Sequence, residues 1–261
     1  MKKMLRCFVL ALPLCLVVAA SATMGELERK LADASSKGDV ATVLALIKKG
    51  ADINAKTDDG LTALMAAAVA GQADAAKVLL ENGANVNATS VDGATALIAA
   101  AITGQTNAAK VLLEKGADVN AKAYDGTTAL INAAMTGQAD VAKVLIEKGA
   151  NVNAKDKAGS SALLAAALSG FEDVALLLID KGADINVKDN GGMTTLILAV
   201  SVTNTEIVHA LLAKGADVNA KTDNGITALS RAEERDPDLD DHARVTRKDE
   251  IVRILKDAGA K

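Results

Sequence analysis

The feature that most constrains this chain is a strict period of 33 residues. Gly-Ala-Asp or Gly-Ala-Asn begins at Gly50, Gly83, Gly116, Gly149, Gly182 and Gly215. A second glycine series, Gly60, Gly93, Gly126, Gly159, Gly192 and Gly225, keeps the same step. A third, Gly38, Gly71, Gly104, Gly137 and Gly170, lapses at Thr203-Asn204. Three series in one register define a repeat array, in which each unit buries its apolar face only against its neighbours.

Each unit reads as two short helices. Thr62 can cap a helix with Leu64, Ala67 and Ala68 on its apolar positions, and Gly71 permits the left-handed turn that ends it. A second helix is expected from about Asp74, itself a plausible cap, through Val78, Leu79 and Leu80 to Gly83. The polar segment from Asn85 to Gly93 suits an extended turn or hairpin. Helices this short are marginal alone in water. Half the chain is hydrophobic but only 1% is aromatic, so the core must be assembled from many small aliphatic contacts.

The residues that open the first helices are Thr62-Ala63-Leu64-Met65, Thr95-Ala96-Leu97-Ile98, Thr128-Ala129-Leu130-Ile131, Ser161-Ala162-Leu163-Leu164, Thr194-Thr195-Leu196-Ile197 and Thr227-Ala228-Leu229-Ser230. With the paired alanines, the turn glycine and the closing Gly-Ala-Asp-x-Asn-Ala, they resemble the ankyrin repeat, whose helix opens with Thr-Pro-Leu-His. Here the proline is absent and aliphatics mostly replace the histidine, which implies more purely apolar packing between hairpin and helix. The resemblance implies an all-α solenoid of about seven helix-turn-helix units with β-hairpin-like loops. The units fall near 24–56, 57–89, 90–122, 123–155, 156–188, 189–221 and 222–261, within a repeat domain of residues 23–261. The first lacks a hairpin, and Glu26, Glu28, Arg29, Lys30, Asp33 and Lys37 give it the polar outer face of a terminal cap. The last is stretched by an expected surface loop at 236–247.

Residues 1–22 read as a secretory signal peptide. Lys2, Lys3 and Arg6 precede an apolar run from Cys7 to Ala20, and Ala20-Ser21-Ala22 supplies the small residues of a cleavage site. The run is shorter than a bilayer-spanning helix. A lipid-anchor reading at Cys15 meets the bulky Leu14. Cleavage after Ala22 removes three basic residues, no acid and both cysteines. The expected product is exported and periplasmic, with secretion the alternative, and carries no thiol.

Net charge of -4 argues against nucleic acid, which needs a clustered basic surface. No constellation for catalysis emerges. The two histidines are His209 and His242, and His209 falls in the helical slot of Lys77, Lys110 and Lys143, a solvated face. Gly50 to Thr57 ends in Lys-Thr, but Ala55 stands where a phosphate loop needs glycine. Asn87-Ala88-Thr89 fits a glycosylation triplet, yet Asn54, Asn120 and Asn153 hold the same place without the threonine. Asp236, Asp238, Asp240 and Asp241 with His242 could face a cation, although Asp241 and Arg247 stand where a calcium loop wants glycine and glutamate. No enzyme, cofactor or metal site is expected.

The family resemblance implies a concave surface, made of hairpin tips and first helices, that grips another protein. On this chain it would include Val69, Ile102, Met135 and Leu168, each just before a turn glycine, with Ser201 in the same slot. Met193 lies beside a hairpin glycine, as do Leu61, Ala94, Thr127, Ser160 and Ile226. The tips carry Asp58, Asp59, Asp92, Tyr124 and Asp125, then change to Lys157, Ala158, Asn190 and Gly191. Tyr124 is the expected anchor. The expected molecule is a monomeric, non-catalytic interaction scaffold for an envelope protein partner. The alternatives are an inhibitor or immunity-type protein for a periplasmic enzyme, or cation binding at loop 236–242.

Overall fold

The computed structural model describes residues 24–234 and 242–261, with the side chains of 242–245 excepted. The signal segment 1–22 and the acidic stretch 236–241 lie outside the described residues. Among those described there are fourteen helices and no strands. Three isolated bridges, Thr89 with Thr95, Lys155 with Ser161 and Lys188 with Thr194, are the extended pairing found in the loops.

The chain forms two compact units. Residues up to 133, with 140–150, make the first. It contains α1 (Glu26–Lys37), α2 (Val40–Lys48), α3 (Ala63–Val69), α4 (Ala73–Glu81), α5 (Ala96–Thr103) and α6 (Thr106–Glu114). Most of α7 (Ala129–Met135) and α8 (Ala139–Glu147) also falls in it. Here α1, α3 and α5 pack in succession as one layer, and α2, α4 and α6 as the other. Residues 134–139 and 151–261 make the second unit. It contains α9 (Ala162–Ser169), α10 (Glu172–Asp180), α11 (Thr195–Ser201), α12 (Thr205–Ala213), α13 (Ala228–Glu233) and α14 (His242–Asp257). Its layers are α9, α11 and α13, and α10, α12 and α14.

Why these sequences form helices is visible at their starts. The hydroxyls of Thr62, Thr95, Thr128, Ser161, Thr194 and Thr227 accept the N–H three residues on, at 3.1–3.3 Å. Each cap contributes about 1 kcal/mol. The second helices begin differently. Gln72, not Asp74, stands at the start of α4 without a side-chain bond, and Asp74 lies in the first turn, where its charge suits the helix dipole. Only α2 and α12 have a side-chain cap among the second helices for which the cap is described, from Asp39 and Asn204. The Thr42 hydroxyl, then the Thr42 N–H, hold the Asp39 carboxyl below its ordinary pKa. The helix α14 starts at His242, so residues 242–247, expected as loop, are helical. Ala243 and a run of Arg and Lys favour helix, and no glycine interrupts them.

The core is columnar. Leu64, Leu97 and Leu130 are buried in the first unit, with Leu79, Leu112 and Leu145 in its second layer. Leu163, Leu196 and Leu229, with Leu178 and Leu211, repeat this in the second unit. Each contributes about 1.5–3 kcal/mol by leaving water. Met65, Ile98, Ile131, Leu164 and Ile197, where the family has histidine, are all buried. Ser230 is the departure: exposed, it completes a capping box with Thr227.

Asparagines fasten one repeat to the next. The Asn54 amide donates to Gly83 O at 3.1 Å and accepts Asn85 N–H at 2.8 Å. Asn87 does the same with Gly116 O and Asp118 N–H, so this side chain is committed within the fold. In the second unit Asn153 accepts Asp184 N–H and Asn186 accepts Asp217 N–H, both at 2.8 Å. Asn219 bonds Gly259 O and Lys261 N–H at the chain's end. At the opposite end, the Glu28 carboxylate accepts Asp52 N–H at 3.1 Å. That cap residue thus does the work of an asparagine and is half-buried rather than solvated.

Candidate functional site

In the first unit the loop tips form a bonded row. Each is a turn closed twice: Gly93 N–H donates to Ser90 O at 3.0 Å, and Ser90 N–H to Ala94 O at 2.9 Å. The tips at Thr57–Gly60 and Ala123–Gly126 have the same pair of bonds. Successive tips are then joined directly, Val91 N–H to Asp59 O and Tyr124 N–H to Asp92 O, both at 2.9 Å. Gly93 is required there. Its φ is +80°, and a Cβ would lie 2.7 Å from Tyr124 Cδ1 and 2.8 Å from Tyr124 N. Tyr124 therefore lies across the preceding tip.

The structure brings five expected residues into this row: Asp58, Asp59, Asp92, Tyr124 and Asp125, all exposed. Tyr124 is 65% exposed. The Asp125 carboxylate accepts both the N–H and the hydroxyl of Thr127. Sequence reasoning missed Val91, 53% exposed in the column of Asp58 and Tyr124. The signal was its position 33 residues before Tyr124. Val69 on α3 and Ile102 on α5 are half-buried, so neighbours cover part of each.

In the second unit Met135, Leu168 and Met193 are likewise half-buried. The same slot turns polar at Ser201, whose hydroxyl donates to Ile197 O at 2.8 Å and accepts Arg231 Nε–H at 3.0 Å. Arg231 also pairs with Glu234. The tips hold Lys157, Ala158, Asn190 and Gly191, all exposed, and are joined by Asn190 N–H to Ala158 O at 3.0 Å. The scaffold is the same, but these four positions are neutral or basic, and an exposed aspartate returns only at the next tip, where Asp223 N–H donates to Gly191 O at 3.2 Å.

Elsewhere the residues weighed for chemistry have structural places. Lys56 Nζ donates to Thr89 O at 2.7 Å and the buried Thr57 hydroxyl accepts Leu61 N–H at 3.0 Å, so the Lys-Thr pair shapes a turn. His209 is exposed on α12. Among the described residues no three His, Cys, Asp or Glu side chains converge to hold a metal, and no helix is long and apolar enough to cross a membrane.

Comparison with known proteins accords with this geometry. The family model for ankyrin repeats in three copies matches residues 31–123 and 121–189, and that for many copies matches 178–232. The chain belongs to the ankyrin-repeat family. A solved structure, the human ASB11 ankyrin repeat domain, is similar at 27% identity and a TM-score of 0.71, covering 83% of this chain and 96% of that one. No curated protein matches the chain. Ankyrin repeats generally mediate protein–protein interaction, and their fold is typically a non-catalytic scaffold. The ankyrin helix opening survives here without its proline because alanine fits an early helical position nearly as well.

Proposed function

We propose that this ankyrin-repeat chain is an exported, non-catalytic scaffold that presents a pre-ordered surface to a protein partner of the bacterial envelope. The observation that carries the reading is the tip row of the first unit. There, exposed Tyr124 and Asp92 stand on turns that are bonded both internally and to one another. A side chain on so fixed a backbone loses little entropy on binding, and tyrosine offers apolar area with a hydroxyl at low cost. Val69 and Ile102 in this unit, and Met135, Leu168 and Met193 in the other, add half-covered apolar area. Export is supported by the basic start, the apolar run and Ala20-Ser21-Ala22.

Affinity capture from the cell envelope, with the exported chain as bait, tests this. A stoichiometric protein is expected to be recovered. It should be lost from a Tyr124→Ala, Met135→Asp variant that keeps its helical circular dichroism. Retention by that folded variant would place the surface elsewhere. N-terminal sequencing of the exported chain should begin at Thr23.

A further inference from the structure

The tip row has a chemistry more specific than its exposure. It consists of two parallel columns, one residue apart in sequence. The outer column reads Asp58, Val91, Tyr124, and the adjoining one reads Asp59, Asp92, Asp125, an aspartate at every step. All six are exposed. The carboxylates of Asp59 and Asp92 take no hydrogen bond or ion pair from the described residues, whereas Asp125 holds Thr127 and Asp58 is engaged within the fold. The nearby Lys56 ammonium is turned along the row onto Thr89 O, so it does not pair directly with Asp59 or Asp92.

These carboxylates do not form a cation cage. Those of Asp59, Asp92 and Asp125 stand one per repeat, and among the described residues no three acidic groups converge. Nor does such a row suit phosphate-bearing partners, since nucleic acid and anionic lipid would meet like charge. What it complements is a line of separated cations with apolar groups between them.

We propose that the first unit's tip row binds an extended basic segment of the protein partner, with Lys or Arg side chains facing Asp59, Asp92 and Asp125 and apolar side chains over Val91 and Tyr124. This rests on the protein-binding reading above and assigns the partner's chemistry. The spacing follows from the fold. Packed helices lie about 8–10 Å apart, and an extended chain of the polyproline II kind advances about 3.1 Å per residue with three residues per turn, which puts every third side chain on one face. One repeat therefore corresponds to about three residues of partner, and the basic side chains recur at every third position. The Tyr124 ring, pinned across Gly93 on one side, leaves its open face for an apolar or cationic side chain.

Fluorescence anisotropy with the full-length chain tests this, using a labelled peptide of four Ser-Leu-Lys triplets. Controls are the Ser-Leu-Glu counterpart and a scrambled peptide of the same composition without the period. The Ser-Leu-Lys peptide should bind, the Glu peptide should not, and the scrambled one should bind more weakly. Asp59→Asn with Asp92→Asn should weaken binding by about five- to tenfold at low salt. Tyr124→Ala should weaken it by about threefold or more. Raising salt to about 0.15 M should narrow the first difference as charges are screened. His209→Ala, at an exposed position on α12 of the other unit, should leave peptide binding unchanged. Equal binding of Lys and Glu peptides, indifference to the aspartate variants, or preference for anionic vesicles or RNA would overturn the proposal. If envelope capture succeeds while the peptide fails, the scaffold reading stands and the basic-segment reading falls.

Discussion

The two compact units share a skeleton and differ in how faithfully they dress it. Both join neighbouring tips by one backbone bond, Tyr124 N–H to Asp92 O in the first and Asn190 N–H to Ala158 O in the second. Both fasten repeats through asparagine amides. The first unit keeps glycine at its inter-helix turns and concentrates its variation at the tips, where Val91, Tyr124 and the aspartates project. The second lets variation into the frame itself. Thr203 replaces a turn glycine and holds a φ of +56°. Thr195 replaces alanine in the core, and its buried hydroxyl finds no hydrogen-bond partner. Backbone bonding is thus the part both units hold in common, and side chains off that frame are where one repeat can be told from another.

The sharpest way to break this comparison is to push tips apart. Gly93→Ala should cost about 2–3 kcal/mol, since its Cβ would meet the Tyr124 backbone and the left-handed φ adds strain. Gly159→Ala, facing Asn190 N at 2.9 Å, should cost a similar amount if the two units share one frame. Gly83→Ala, with nothing within 4 Å, should cost only about 1 kcal/mol, the left-handed penalty alone. Urea melts of the three variants check the contrast, and equal costs would refute it. A smaller effect of opposite sign is expected for Thr203→Gly. Relief of a β-branched residue from left-handed backbone, less the added entropy of the unfolded glycine, should stabilise by about 0.5–1 kcal/mol. Calorimetry should show a rise of about 1–4 °C. Smallest is Thr195→Ala, expected within about 0.5 kcal/mol of the parent, because an unbonded buried hydroxyl contributes nothing to offset its desolvation. A loss above about 1 kcal/mol would reveal a bond that the static geometry lacks.

Much of this was legible in the primary structure because the repeat encodes it locally. Thr62 and its counterparts announce helix starts, and the glycine series announce the turns. Asp74 misled because a capping residue type sits two places inside the helix, where only the turn at Gly71-Gln72 decides the start. The beginning of α14 at His242 was hidden by the inserted stretch, which has no counterpart one period earlier. Glu28 read as a solvated cap residue, and its bond to Asp52 spans 24 residues where the corresponding bonds of Asn54, Asn87, Asn153 and Asn186 span 31. No periodic argument reaches it. Among the candidate surface residues, the exposure of Tyr124 followed from its tip position. The partial cover over Val69, Ile102, Met135 and Leu168 depends on how closely neighbouring helices approach, which sequence does not state.

The asparagine fastening has a mechanical corollary. In the second unit the terminal repeat is held to the one before it by Asn219, through Gly259 O and Lys261 N–H. Tension applied at that end would load this amide before any other, then pass to Asn186 once it yielded. Extension would proceed by peeling, each regular repeat of 33 residues releasing about 110 Å of slack and the stretched last one more. Such a chain behaves as a row of small latches, and it can give way at one end while the rest keeps its grip.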